Sequence, residues 1–224
     1  MKNKLIVFDI DDTLYNEIDY VKSGYKVLSK YIEEKYHLDN IYNKLMELFQ
    51  ISSKNIFNRL FDELNVKYTS EEISFLVEMF RNHEPDIKLS QDVIETLNIL
   101  KKNYKLAIVS DGNYNTQYLK CKSLNLNQYF DKIILTGKYG KDYEKPSRKA
   151  FDMLSDIFNV ELKNMYYIGD NPNKDFYISM YGIKTIRYYN KKGVYYNDNY
   201  KENIHEDYII DTVSDVVQLI KNID

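Results

Sequence analysis

The sequence predicts an α/β fold: a doubly wound parallel sheet with a second, smaller all-α lobe inserted behind its first strand. Three observations carry this. Six short apolar runs recur along the chain, several of them apolar at consecutive positions, as strands covered on both faces require. Helical periodicity fills most of the gaps, the alternation that specifies a parallel sheet. Between Tyr15 and Leu89 the alternation stops, and helical patterns alone run for about 75 residues, too long for a connection.

The first strand is read at 4–8, ended by Asp9. Four helices follow at 18–36, 41–49, 56–64 and 71–81; Thr69 with Glu72 three residues on is a capping box for the last. These make residues 16–89 a lobe with its own packing, and 1–15 with 90–224 the core domain. In the core, Ser90 is an N-cap for a helix at 93–101, whose Val93, Ile94, Leu97 and Leu100 form one stripe. Strands are read at 105–109, 132–135, 165–168, 184–187 and 208–210. A helix at 147–158 begins after Pro146 and presents Ala150, Phe151, Leu154, Ile157 and Phe158; a last one at 212–220 carries Val213, Val216, Val217 and Ile220. Residues 188–207 form a long polar connection with no assigned role.

Composition bounds the function. The chain has 224 residues, 44% hydrophobic and 29% charged, a globular balance. Its net charge of −3 lacks the cationic excess of a protein held to nucleic acid through phosphates. No run is long enough for a signal peptide or a membrane span. A single cysteine, Cys121, excludes an intramolecular disulfide framework and a multi-Cys metal cluster. The expectation is a reduced, cytoplasmic protein without nucleic-acid or membrane partners. The three histidines, His37, His83 and His205, are read as surface or packing residues, and the 23 tyrosines as codon bias rather than a binding surface.

The chemistry concentrates in LIVFDIDDTLY, residues 5–15, where a buried strand delivers Asp9, Asp11 and Asp12 within four positions. If the extended conformation persists, Asp9 and Asp11 share a side with Asp12 opposite. Two like charges on one side at a strand's C-terminal end need a cation or a shared proton, and in an open parallel sheet that edge is where ligands bind. Three further elements stand at later strand ends: Ser110-Asp111-Gly112, a hydroxyl and a turn able to cradle an anion; Lys145-Pro146 at a helix entry; and the loop from Gly169-Asp170 to Asp175. Each alone reads more readily as a turn, a helix start or a solvated loop; their joint order at the strand termini of one sheet points to a site.

The order Asp-x-Asp-x-Thr, then Ser, then Lys-Pro, then Gly-Asp-x-x-x-x-Asp resembles the four motifs of the haloacid dehalogenase superfamily, over essentially the whole chain. The insertion between the first and second motifs is similar to that of the subfamily whose helical cap sits there. The resemblance implies a Rossmann-like core, Mg²⁺ dependence and hydrolysis of a small phosphorylated metabolite. It makes Asp9 the nucleophile, Asp11 the general acid/base, Thr13 a stabiliser of the motif turn, Ser110 and the Asp111–Gly112 backbone the phosphoryl binders, and Lys145 the charge-neutralising ammonium. It gives the metal to Asp170, the Asp9 carboxylate and the Asp11 carbonyl, with Asp175 as an additional acid on the metal's waters or on Lys145, and a helical cap that closes over the site. Asp12 receives no role.

Elementary chemistry agrees with these roles. A phosphate dianion approaches a carboxylate only if cations screen the repulsion, and oxygen ligands suit Mg²⁺ better than Zn²⁺. Asp11 must carry a proton in the first half-reaction; the neighbouring acids are expected to raise its pKa, while Mg²⁺ opposes that rise. Two positions depart from the pattern. Asp111 stands where many relatives have Asn, so its side chain is expected to point away. Lys138 and Lys141 compete with Lys145, which Pro146 favours. Asp11, which carbon-attacking dehalogenases generally lack, argues for phosphoryl chemistry. A phosphomutase stays open as the alternative, with a phosphoacceptor or binding protein behind it.

Overall fold

A computed structural model describes residues 4–200 and 204–223. They divide into two compact units, one taking the chain up to Ile18 and again from Ile87, the other Asp19–Asp86.

The first unit is built on six parallel strands: β1 (Leu5–Phe8), β2 (Lys105–Ser110), β3 (Lys132–Leu135), β4 (Met165–Gly169), β5 (Lys184–Tyr188) and β6 (Tyr208–Ile210). Their order in space is β3-β2-β1-β4-β5-β6. All the central strands are buried on both faces, which is why they read as continuous apolar runs. The chain winds one way from β1 through β2 to β3 and then resumes on the other side of β1 with β4. The reversal between β1 and β4 is the switch point at which the carboxyl ends of two strands leave a crevice. Phe8 lies opposite Ile108 on one side and Ile168 on the other. Beyond Phe8 the Asp9 N–H still donates to the Ile168 carbonyl at 2.9 Å, carrying the register one residue further.

On one face Leu5, Val7, Ala107, Val109, Met165 and Tyr167 pack against Ala150, Phe151 and Leu154 of α7 (Lys149–Phe158). Burying each Val, Leu, Met or Phe side chain among them contributes about 1.5–3 kcal/mol. The helices α5 (Gln91–Leu100), with Ser90 accepting from the Val93 N–H, and α8 (Asp215–Ile223) also belong to this unit. One more helix, α6 (Tyr114–Ser123), was not expected from the sequence. Its buried residues are Gln117, Lys120 and Cys121, so its inner face carries no apolar stripe.

The second unit is helical among its described residues, holding most of α1 (Glu17–Tyr36) with α2 (Ile41–Ile51), α3 (Ile56–Glu63) and α4 (Ser70–Asn82). Its core gathers Leu28, Ile32, Leu45, Leu60 and Phe61. The capping box of α4 is present: Thr69 Oγ1 accepts from the Glu72 N–H at 3.3 Å, and the Glu72 carboxylate accepts from the Thr69 N–H at 2.9 Å. No described helix is long and apolar enough to cross a membrane.

Candidate active site

A cavity of about 150 Å³ opens at the switch point of the sheet. Asp9, Asp11, Ser110, Asp111, Lys145, Asp170 and Asp175 all line it; Thr13 and Gly112 are not among its lining residues. Asp9 follows β1 and Asp170 follows β4, the two strands flanking the reversal, so neighbouring strand ends hold them side by side. Asp175, fully buried, returns from the loop after β4, its Oδ2 accepting from the Asn171 N–H at 2.9 Å. Gly169 permits this approach, since a Cβ there would collide with the Asp175 carboxylate.

Carboxylate oxygens of Asp9, Asp170 and Asp175 lie within 4.8 Å of one another. Lys145, with a side chain only 2% exposed, places its ammonium 2.9 Å from Asp9 Oδ2 and 2.8 Å from Asp175 Oδ1. It also donates to the Tyr167 phenol, which in turn donates to Asp175 Oδ1 at 3.2 Å. Burial alone would push this ammonium towards neutrality; Asp175 and Asp9 outweigh it and hold the lysine charged, with its pKa well above the usual value. Lys138 instead sits over the Tyr114 ring.

Three acids on one ammonium leave uncompensated negative charge, and their titration reflects it. Burial pushes the Asp9 carboxyl up to about 6, opposed by Lys145 and reinforced by Asp175. Asp170 is raised well above the usual carboxylate range by burial, then by Asp175 and Asp9. Buried all-oxygen donors with excess negative charge are what a hard divalent cation requires, so the residues present fit Mg²⁺ held by Asp9, Asp170 and Asp175.

Asp11 corrects an expectation. Its Oδ1 accepts from Tyr15 Oη at 2.6 Å and from the buried Lys120 ammonium at 2.7 Å, and its Oδ2 from Gln117 Nε2 at 2.9 Å. Burial works to raise this carboxyl, but Lys120 and these hydrogen bonds outweigh it, so its pKa is lowered rather than raised. Neither Lys120 nor Gln117 was singled out in the sequence, because they lie on the unexpected helix α6. Their spacing of three, which sets both on one helix face, is the signal that could have found them.

The extended conformation does not persist to Asp12. The Thr13 and Leu14 N–H groups donate to the Ile10 carbonyl, turning the chain so that Asp9, Asp11 and Asp12 all border the cavity. Thr13 serves the turn through this backbone bond; its buried Oγ1 has no partner among the described residues. Asp12, in the left-handed region at φ 50°, acts as a clamp. Its Oδ1 accepts from the Glu17 N–H at 2.8 Å and its Oδ2 from the Val194 N–H at 2.7 Å. Its carbonyl accepts from Asn190 Nδ2 at 3.0 Å. Part of the 188–207 connection is thereby tied to the motif turn and brings Tyr195 to the cavity wall.

Ser110, at the end of β2, accepts at Oγ from Gln117 Nε2 at 2.7 Å. The Asp111 carboxylate accepts from Thr136 Oγ1 at 2.9 Å and from the Lys145 N–H at 3.2 Å, fixing the backbone that delivers the lysine. Gly112 takes φ 120°, which only glycine adopts without strain.

The raised acids predict a pH dependence in the cation-free protein. Asp9 titrates near 6 in the fold against an ordinary 3.8. Glu17, also lining the cavity and raised first by burial and then by Asp11, titrates near 8 against 4.5. The fold therefore binds these protons more tightly than the unfolded chain, and their contribution to stability is lost as pH rises through 6 and then 8. In EDTA the thermal midpoint should be higher at pH 5.5 than at pH 8, and Mg²⁺ at pH 8 should recover much of the difference. Asp170→Asn should flatten the EDTA slope. A midpoint in EDTA that climbs from pH 5.5 to 8, and does so equally in Asp170→Asn, contradicts the charge assignment.

The sequence profile of the family described as haloacid dehalogenase-like hydrolase matches residues 6–187. The chain is 27% identical to the glyceraldehyde 3-phosphate phosphatase of Pyrococcus furiosus over 97% of its own length and 93% of that protein's. It is 23% identical to the human N-acylneuraminate-9-phosphatase over 99% and 95%. Among solved structures, the HAD-hydrolase YfnB from Bacillus subtilis, bound to magnesium, superposes with a TM-score of 0.72 at 14% identity, covering 98% of this chain and 99% of that one.

Proposed function

Since the chain belongs to the haloacid dehalogenase-like hydrolases, we propose that it is a Mg²⁺-dependent phosphatase acting on a small phosphomonoester through an aspartyl-phosphate formed on Asp9. Its enzyme class is that of the phosphoric monoester hydrolases. The observation that carries the mechanism is the convergence of Asp9, Asp170 and Asp175 within 4.8 Å, with the Lys145 ammonium on two of them.

Asp9, fixed at the switch point by its backbone bond to Ile168, presents a carboxylate to phosphorus. Asp9, Asp170 and Asp175 would hold Mg²⁺, which would supply positive charge for the phosphoryl oxygens. Lys145 adds a second cation that is already desolvated, so little reorganisation is needed as charge moves onto those oxygens. Asp111 and Tyr167 keep the lysine in place. The Ser110 hydroxyl donates to a phosphoryl oxygen. Asp11 gives a proton to the departing alkoxide and then takes one from the water that hydrolyses the acyl phosphate. Held ionised by Lys120, it stands ready for the second of these roles; for the first it must gain a proton against that lysine.

The two relatives are named for different substrates, so a small phosphorylated metabolite is the class carried over. The net charge of −3 gives no cationic surplus for holding nucleic acid through its phosphates.

A metabolite panel scored by release of free phosphate tests the reading. Hydrolysis should vanish in EDTA and return with Mg²⁺, and Asp170→Ala should raise the Mg²⁺ needed for half-maximal rate by about tenfold or more, since losing even an outer-shell partner of a ligand costs that much. An unchanged metal titration refutes the ligand set, and phosphoryl transfer within a sugar phosphate without free phosphate makes the protein a mutase.

A further inference from the structure

We propose that Gln117 is a positioning residue that turns the Ser110 hydroxyl into a committed donor for a phosphoryl oxygen and couples it to Asp11; this rests on the phosphatase reading above. The Gln117 side chain is buried, and its Nε2 lies 2.9 Å from Asp11 Oδ2 and 2.7 Å from Ser110 Oγ. The amide nitrogen, not its oxygen, faces Asp11 Oδ2 and gives it one proton. Tyr15 and Lys120 both bond to Asp11 Oδ1, which leaves Oδ2 to the amide. The same NH₂ group then gives its other proton to Ser110 Oγ.

The consequence lies on the serine. An isolated hydroxyl beside a cluster of carboxylates would turn its proton onto the nearest of them, and its lone pairs would face an incoming phosphoryl oxygen. With a lone pair occupied by Gln117, the Ser110 proton is left to point into the cavity that Ser110 lines. A donor set in advance costs no reorientation when charge builds on phosphoryl oxygen. The helix makes the device: Gln117 and Lys120, three residues apart on the buried face of α6, reach the second-motif serine and the first-motif acid together.

A double-mutant cycle on the full-length protein with Mg²⁺ tests this, using Ser110→Ala with Gln117→Leu and, as an alternative of similar volume, Gln117→Met. Ser110→Ala should lower kcat/KM by about 100-fold, as losing one transition-state donor does. Either Gln117 variant should lower it by about 30-fold, mainly in kcat. In the Ser110→Ala background the same Gln117 change should cost no more than about threefold. Inorganic phosphate, titrated by calorimetry, should bind the Gln117 variants about tenfold more weakly than wild type, the scale of one hydrogen bond to a charged group. Losses that multiply in the double variant overturn the coupling, as does unaltered phosphate affinity, while wild-type turnover leaves the phosphatase reading standing. A wild-type protein that neither hydrolyses any phosphomonoester nor binds phosphate removes that reading, and the role of Gln117 with it.

Discussion

Asp9→Asn is expected to lower phosphomonoester turnover by at least about 10⁴-fold with the fold intact, because removing a covalent nucleophile forfeits the whole stepwise route. The substitution keeps an oxygen to accept the Ile10 N–H, and it relieves repulsion among three acids that lie within 4.8 Å of one another. In the absence of a cation, the variant's thermal midpoint should therefore equal or exceed that of wild type. Loss of activity together with loss of folding would mean that Asp9 holds the structure, and residual activity above about a tenth would remove it as nucleophile.

The second large effect belongs to Lys145. Lys145→Met keeps the length of the buried stem and removes the charge that Asp9 and Asp175 share. Breaking a buried pair from one side typically costs about 3–5 kcal/mol, because it leaves the partner's charge uncompensated. In urea at pH 8 with EDTA the variant should lose stability on that scale. Combining it with Asp175→Asn should restore part of the loss, since the fully buried Asp175 is the charge left stranded. Activity should fall at least about 10³-fold with Mg²⁺ present, the scale of a strong preorganised electrostatic contact. A variant as stable as wild type in EDTA would show that the ammonium does not balance the acids.

What could be read in advance followed the strands. Each of the six apolar runs became a strand, with ends moved by a residue or so, because strands buried on both faces leave an unambiguous pattern. Asp9, Ser110, Lys145, Asp170 and Asp175 were legible for a related reason: parallel strands deliver their C-terminal neighbours to one rim, so order along the chain becomes proximity in space. The helix that carries Gln117 and Lys120 was illegible because its buried face is polar. The periodicity that marks a helix by its apolar stripe is silent when the side chains it buries serve a site. The neighbours of Asp11 in sequence are acids, which push a carboxyl up, while the lysine that lowers it lies 109 residues away. Asp12 escaped because a clamp on Val194 and Asn190 is a contact between distant loops, which no local pattern encodes.

The covalent step itself can be caught. Wild-type protein turning over a good substrate in Mg²⁺ can be quenched with hydroxylamine, which converts an acyl phosphate to a stable hydroxamate, and its peptides mapped by mass spectrometry. A Mg²⁺- and substrate-dependent hydroxamate on Asp9, missing from Asp9→Asn, is the predicted result. Label on Asp11 or Asp170 instead, or rapid turnover with every carboxylate unmodified, would contradict it.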